Sequence, residues 1–342
     1  MDRPRVAPSM LQQAANPMLK HLLCIVLLAS ASGGVRAAGD HADVYPSKPI
    51  RIVIGFPPGG GVDYMARLIG SKLSEHFGQP VIVDNRPGAS SNLASEMAAR
   101  ANPDGYTLLL GVSVGLASSR SLYPKLGYDL LKDFSYISVV ATGTNVLLAH
   151  PSLAAQSVAQ LVSLARSKPG AIRYGSSGVA SPDHLTMELL QRHTGVEFLH
   201  VPYKGGPNSV VAIAAGEVDI AFASVAAALP MIQSKRLNAL AVASAKRLGA
   251  LPGVPTVAES GIAEFDVTNT FGIIAPARAP DAVVKRLNAE LRGIVQMGDV
   301  RAKFAAQGLE AAASTPGEFR AVIEAETEQW ARVIKDARIV AN

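Results

Sequence analysis

The residues of this chain best suited to chemistry lie in glycine- and serine-rich loops, and the first such loop has the sequence FPPGGGVD from Phe56. Backbone N–H groups at the start of a helix carry partial positive charge and favour a small anion. Pro57 and Pro58 stiffen the approach to the helix, and Gly59, Gly60 and Gly61 carry no Cβ atom that could obstruct the backbone. Asp63 is placed to cap the helix or to accept a hydrogen bond from a ligand. Two interpretations are open: an anion-binding loop, or a tight turn with a capped helix.

The first loop does not match the common nucleotide-binding motifs. A P-loop requires Lys and then Ser or Thr directly after its second glycine, whereas Val62 and Asp63 follow here. A dinucleotide fingerprint that begins at Gly59 requires glycine at position 64, which is Tyr64. A small carboxylate suits the same backbone amides as well as a phosphate does.

Further loops supply hydroxyl groups directly after predicted strands. Each loop by itself is ordinary turn chemistry, but their repetition at strand ends favours a shared binding site, because ligands of open α/β sheets bind outside the carboxyl ends of strands. The candidate residues of these loops are Ser90, Ser113, Ser176, Ser177, Gly178 and Ser224.

One alternative is an enzyme. The segment from Gly111 to Gly115 satisfies the G-x-S-x-G pattern of a nucleophile elbow, with Ser113 as the nucleophile of a periplasmic serine hydrolase. An α/β-hydrolase places its catalytic histidine last in chain order, yet the last histidine here is His200. This alternative is therefore disfavoured.

Charge and histidine patterns exclude other classes of function. Four basic residues and one acidic residue precede residue 38 and account for most of the net charge of +5. The remainder has no cluster of Lys and Arg and few aromatic residues, so we predict no nucleic-acid partner. No H-E-x-x-H motif or histidine–carboxylate cluster occurs, so we predict neither a metal site nor a cofactor.

The N-terminus has the pattern of an export signal. Lys20 and His21 precede an apolar run over 22–31, and small residues follow it. The run is shorter than the ~20 apolar residues that a membrane span requires. We therefore predict a signal peptide over 1–37, cleaved near Ala37, which places the mature protein in the periplasm without stable insertion in a membrane.

Several details of this segment stay open. Cleavage after Gly39 fits the pattern as well, and the start of translation is Met1 or Met18. Cys24 lies inside the signal, so the mature chain has no cysteine. Disulfides, thiolate zinc sites and cysteine nucleophiles are therefore excluded.

Hydrophobic periodicity predicts an α/β fold with two lobes. A buried strand over 50–54 and a helix over 64–76 that ends at Gly78 open a series of alternating strands, turns and helices. Two apolar runs, over 137–149 and 271–275, predict strands that cross between the lobes. We expect lobe 1 to comprise residues 45–143 plus 269–342, and lobe 2 to comprise residues 144–268.

These segments together resemble the solute-binding receptors of tripartite tricarboxylate transporters, the Bug family. The resemblance covers nearly all of the mature chain in the same order and includes YPSKPIRIVIGFPPGGGVDYMARLI, GQPVIVDNRPGASSN, VPYKGG, GEVDIAF and LPGVPTVAESG. It implies a bilobed α/β fold of the periplasmic binding protein type II (Venus flytrap) kind, with two lobes joined by two crossing strands. It also implies a monomer that closes on a small carboxylate without catalysis and docks on integral-membrane transporter subunits.

The resemblance also implies which residues bind. In the family, backbone amides and loop hydroxyls hold one carboxylate of the ligand. Carried over, the loops at Gly59 and Ser113 hold one side, those at Ser176 and Ser224 hold the other, and the whole set is Gly59, Gly60, Asp63, Ser90, Ser113, Ser176, Ser177, Gly178 and Ser224. The family usually has Thr where this chain has Val62, which implies a ligand less polar than citrate. An orphan or sensory ligand-binding protein is the alternative function.

Overall fold

The protein is described by a computed structural model that covers residues 45–123, 125–337 and 339. The predicted signal peptide over 1–37, its cleavage near Ala37 and the alternative starts at Met1 and Met18 lie outside the described residues. Of the helices within the described ranges, none combines the length and the apolar character needed to cross a membrane.

Strands and helices alternate along the described chain. The elements up to the long central strand are β1 (Ile50–Ile54), α1 (Gly61–Phe77), β2 (Val81–Asn85), α2 (Asn92–Ala99), β3 (Thr107–Val112), α3 (Ser113–Leu122) and β4 (Phe134–Ala149). Then follow α4 (Val158–Ser167), β5 (Arg173–Ser176), α5 (Pro182–Thr194), β6 (Leu199–Pro202), α6 (Gly206–Ala214), β7 (Ile220–Ser224), α7 (Val225–Gln233) and β8 (Asn238–Val242). The last elements are β9 (Thr268–Pro276), α8 (Asp281–Gln296), α9 (Gly298–Ala305), β10 (Leu309–Ala311) and α10 (Pro316–Asp336).

Strand β4 belongs to two sheets. In the first sheet, β1 pairs in parallel with β2 and β3, and β9 lies antiparallel between β3 and β4. In the second sheet, β5 pairs in parallel with β6 and β7, and β7 pairs antiparallel with β4. Residues of β4 up to Thr144 pair with β9, and those from Asn145 onward pair with β7. The predicted α/β class, with parallel strands and crossing strands, is confirmed.

Both sheets are covered by helices on their two faces. Helices α1 and α8 pack on one face of the first sheet, and α2, α3 and α10 pack on the other. The second sheet lies between α4 and α5 on one side and α6 and α7 on the other. Trp330 of α10 is buried in the core, as predicted.

The apolar run over 137–149, which contains Gly143, lies within one continuous strand of 16 residues, β4. The structure gives Gly143 a packing role. A Cβ atom at this position would lie 2.6 Å from Cδ2 of Leu309 in β10, so glycine allows β10 to pair against β4.

A glycine on β9 provides a test of the packing between the first sheet and α10. A Cβ atom at Gly272 would collide with the ring of Phe319, so Gly272→Ala should lower the free energy of unfolding by about 1–3 kcal/mol through overpacking. Gly293→Ala is the control, because no atom lies within 4 Å of its Cβ position and alanine suits the interior of α8 better by about 1 kcal/mol. Urea denaturation measures both changes. Equal stability of Gly272→Ala and the wild type would contradict the described packing.

Candidate functional site

The first loop is held in shape by Asp63. Its carboxylate accepts hydrogen bonds from the Gly59 amide at 3.0 Å, from Arg67 at 2.9 and 3.0 Å, and from Asn85 Nδ2 at 2.9 Å. The Arg67 guanidinium holds the pKa of this buried carboxyl at about 2. All these bonds lie within the protein, so Asp63 fixes the shape of the loop.

The backbone of this loop is open at the start of α1. Gly59 has φ of +83°, which favours glycine, and a Cβ atom there would meet no atom within 4 Å. Gly60 is the N-cap residue of α1 and provides no side-chain hydrogen bond to the first turn. Pro58 and Gly59 are exposed. The amides of the first turn therefore lack the side-chain cap that usually satisfies them.

A second loop, over residues 89–91 after β2, is hydrogen-bonded to Gly55, which directly precedes the first loop. Ala89, Ser90 and Ser91 all have positive φ, which is rare for residues with side chains and is typical of strained functional loops. Ser91 Oγ donates to the carbonyl of Gly55 at 3.2 Å, and Tyr123 donates to Ser90 Oγ at 3.0 Å. The structure thus brings the predicted residue Ser90 close to the predicted loop at Gly59.

Ser113 has a structural role in the described fold. It is buried at the first position of α3, and its Oγ accepts a hydrogen bond from the amide of Thr270 in β9 at 3.0 Å. The strand–helix junction that a nucleophile elbow requires is present, but no histidine of the described residues hydrogen bonds to this hydroxyl. Within the described ranges, Ser113 therefore lacks the histidine partner of a Ser-His-Asp triad.

In a third loop, over residues 176–178 at the end of β5, both serine hydroxyls hydrogen bond to other groups of the protein. Ser176 has no exposed surface, and its Oγ lies 2.6 Å from Nε2 of His200 and 3.1 Å from the carbonyl of Gly178. Both the amide and the hydroxyl of Ser177 hydrogen bond to the carboxyl of Asp183. These bonds fix the shape of the loop at the carboxyl end of β5.

A stack of rings that the sequence did not reveal supports this loop. Tyr174, His184 and His200 lie nearly parallel, and the two imidazole centroids are 4.1 Å apart. Burial lowers the pKa of both histidines, that of His184 to about 3, so both rings are neutral at pH 7. Nδ1 of His184 accepts a hydrogen bond from the amide of Ala180.

His200 contacts the third loop because of the register between β5 and β6. It pairs with Tyr174 across the parallel strands β5 and β6, which brings its ring beside the third loop. Only the alignment of these two strands could have indicated this from the sequence.

Ser224 differs from the other predicted serines. It ends β7, is exposed, and is the N-cap residue of α7 without a side-chain hydrogen bond to that helix. Its partner across the antiparallel pairing with β4 is Asn145. Ser224 therefore presents its hydroxyl to solvent at the uncapped start of a helix.

The predicted residues form two groups. Pro58, Gly59, Gly60, Asp63, Ser90 and Ser113 follow the neighbouring strands β1, β2 and β3, whereas Ser176, Ser177, Gly178 and Ser224 lie at the ends of the neighbouring strands β5 and β7. Two cavities lie elsewhere. One of about 660 Å³ lies beside α4, and one of about 160 Å³ is lined by Thr142, Thr144 and Lys246; neither is lined by a predicted residue.

Residues 65–339 match the model of the tripartite tricarboxylate transporter family receptor. The R. palustris protein Rpa4515, solved with adipate, aligns with a TM-score of 0.80 and 35% identity over 86% of this chain and 99% of that one. The periplasmic binding protein BugD aligns with a TM-score of 0.78 and 28% identity over 87% of this chain and 100% of that one. MatC from Rhodopseudomonas palustris, with bound malate, has a TM-score of 0.76 and 28% identity over 85% and 100% of the two chains.

These matches confirm two predictions from the sequence, the family resemblance and the periplasmic binding protein fold. The boundaries of the lobes and the individual binding residues stay predictions.

The Asp63 network provides a test of how the first loop is held. Asp63→Asn should lower the free energy of unfolding by about 1–3 kcal/mol at pH 7, because it removes hydrogen bonds to a charged acceptor. The folded-state pKa is depressed, so this stability is present above pH ~4 and is lost as the pH falls towards about 2. Urea denaturation from pH 7 to pH 2.5 should show the gap between variant and wild type narrowing below pH 4.

Glu197→Gln is the matched control for the loss of one carboxylate, since Glu197 is exposed. It should change stability by less than about 0.5 kcal/mol at every pH. A gap between Asp63→Asn and the wild type that stays constant down to pH 2.5 would show that the charge of Asp63 does not hold the loop.

Proposed function

Because the chain belongs to the tripartite tricarboxylate transporter receptor family, we propose that it is an extracytoplasmic receptor that captures a small carboxylate between two lobes. The receptor then delivers this ligand to integral-membrane subunits of a transporter of the same type. Export by the predicted signal peptide places the receptor in the periplasm. It acts as a monomer, without cofactor and without catalysis.

The observation that carries this proposal is that each sheet is followed by a helix whose N-terminus is open and lacks a side-chain cap. Helix α1 begins at the open glycine loop after β1, and α7 begins at the exposed Ser224 after β7, both without a side-chain cap. Helix N-termini attract anions through their free amides and partial positive charge. Arg67 is paired with Asp63. Backbone amides and hydroxyls therefore hold the carboxylate, rather than this arginine.

The proposed lobes comprise residues 45–143 plus 269–342 and residues 144–268. The change of partner along β4 supports this division, because β9 pairs up to Thr144 and β7 pairs from Asn145. Closure of two such lobes is a two-state equilibrium, and a ligand favours the closed form only by contacting both. The loops at Gly59 and Ser224 supply one contact from each lobe.

The class of ligand is a small dicarboxylate. Two family structures, of Rpa4515 and MatC, contain adipate and malate. Val62 has no hydroxyl at the start of α1, which favours an acid less polar than citrate. The exposed hydroxyl of Ser224 and the first-turn amides of α1 match the acceptor oxygens of a carboxylate.

A ligand panel tests the proposal. Purified protein, first shown to be free of ligand, should be stabilised in a thermal shift assay by small dicarboxylates and not by neutral sugars or nucleotides. At a ligand concentration 100 times Kd, the stabilisation is about 2.7 kcal/mol, which raises Tm by roughly 5 °C. No shift with any carboxylate would contradict the proposed function.

Delivery is tested separately by capture of detergent-solubilised membrane proteins on the immobilised receptor, with and without the acid found in the panel. Ligand-dependent capture of transporter subunits supports delivery. Ligand binding without such capture would contradict delivery and leave a sensory role.

Ser224→Ala tests the assignment within the second sheet. Loss of one hydrogen bond to a carboxylate should weaken binding of the best acid about 10- to 100-fold, because a bond to a charged group contributes about 1.5–3 kcal/mol. Stability without ligand should not change, since Ser224 is exposed and makes no cap. Titration calorimetry measures the affinity, with Ser163→Ala on the exposed face of α4 as the control. Equal affinity of Ser224→Ala and the control would remove Ser224 from the site.

A further inference from the structure

Two buried asparagines on the crossing strands have amide atoms without a partner. Asn145 of β4 is 5% exposed and Asn269 of β9 is 7% exposed. Among the described residues, neither Nδ2 of Asn145 nor Oδ1 of Asn269 has a hydrogen-bond partner. Most buried polar side chains are hydrogen-bonded, because an unpaired donor or acceptor costs its full desolvation. Two such amides on adjacent strands therefore indicate that one polar group can bind to both.

Strand register places the two amides side by side. Asn269 pairs directly with Gly143, and Asn145 follows Gly143 by two residues on β4. Side chains alternate along a strand, so positions 143 and 145 of β4 and position 269 of β9 share one face of the sheet. Such diagonal neighbours are about 7–8 Å apart, a separation that a single polar group between two side-chain amides can bridge.

The pair lies between the strand ends of the two sheets. Val112, the last residue of β3, pairs with Phe271, two residues from Asn269. Ser224, the last residue of β7, pairs with Asn145. The pair therefore lies next to strands whose ends carry predicted site residues, and the carboxyl ends of strands are where α/β folds bind ligands.

We propose that Asn145 and Asn269 form a subsite of the ligand cleft that recognises a hydroxyl group on the bound acid. Asn145 Nδ2 donates to the hydroxyl oxygen, and the hydroxyl donates to Asn269 Oδ1. A hydroxyl group both accepts and donates, whereas a carboxylate only accepts and would leave Asn269 Oδ1 unpaired. The inference rests on the proposed function and narrows it to hydroxy acids.

The expected consequence is discrimination between acids that differ by one hydroxyl. A buried site built to hydrogen bond a hydroxyl rejects the analogue that lacks it, because its own polar groups are then left unpaired. Because the hydroxyl makes two hydrogen bonds that the deoxy acid cannot make, the protein should bind a hydroxy acid about 10- to 100-fold more tightly than its deoxy counterpart.

The test is titration calorimetry with two matched pairs of probes, malate with succinate and 3-hydroxyadipate with adipate. For the pair that binds better, the ratio of hydroxy-acid affinity to deoxy-acid affinity should fall to about threefold or less in Asn145→Ala and in Asn269→Ala. Most of this change should come from weaker binding of the hydroxy acid. Asn238→Ala is the control, because it removes an asparagine from β8, which also pairs with β4, and it should leave the preference intact.

Asn145→Asp extends the test to a variant of unchanged size, in case the alanine variants fold poorly. It replaces the donor with an acceptor, so the ligand hydroxyl can only donate, to one of two acceptors, and accepts no bond. The preference for the hydroxy acid should therefore fall to about threefold or less, while the circular dichroism spectrum stays that of the wild type.

The outcomes separate the inference from the proposed function. If the wild type binds no carboxylate, the proposed function fails and the inference fails with it. If it binds both members of a pair equally, or if the preference survives in Asn145→Asp and Asn269→Ala, the receptor function stands and the hydroxyl subsite is wrong.

Discussion

The continuous hydrogen bonding of β4 is the constraint on which the rest of the structure depends. One strand of 16 residues pairs with β9 and β10 in its first part and with β7 and β8 in its second. The partners of β4 change between Thr144 and Asn145. The backbone of this one strand therefore fixes the positions of the candidate site loops in both sheets relative to each other. A break at this point would separate the loops of the first sheet from those of the second.

The site loops are fixed mainly by bonds within the protein. Ser113 holds β9, Ser176 contacts His200, and Ser177 binds Asp183, so these hydroxyls are occupied before any ligand arrives. The exposed hydroxyl of Ser224, by contrast, makes no cap bond, and the first turn of α1 has no side-chain cap. Fixed amides lose little conformational entropy when an anion binds, which favours binding through a rigid backbone over binding through long charged side chains.

Local patterns predicted β1 to the residue, and they predicted that α1 ends at Gly78, because a C-terminal glycine is a local signal. Helices α3 and α7 were missed because each begins directly at the end of a strand, at Ser113 and Ser224, without a side-chain cap that a sequence pattern could show. The contact of Ser176 with His200 depends on the register of β5 with β6. Register is a tertiary property, so sequence reasoning could name the loops but not their supports.

Two carboxyls near the first sheet, those of Asp63 and Glu326, are stabilised in different ways. Arg67 lowers the pKa of Asp63, so that carboxyl stays ionised and ties a loop together. Burial raises the pKa of Glu326 in α10 to about 7, and the nearby side chains of Ser113 and Trp330 oppose this shift without overcoming it. A carboxyl without a cation is less costly to bury when it is protonated. The contact between α10 and α3 therefore tolerates an acid near neutral pH, whereas the first loop requires its charge.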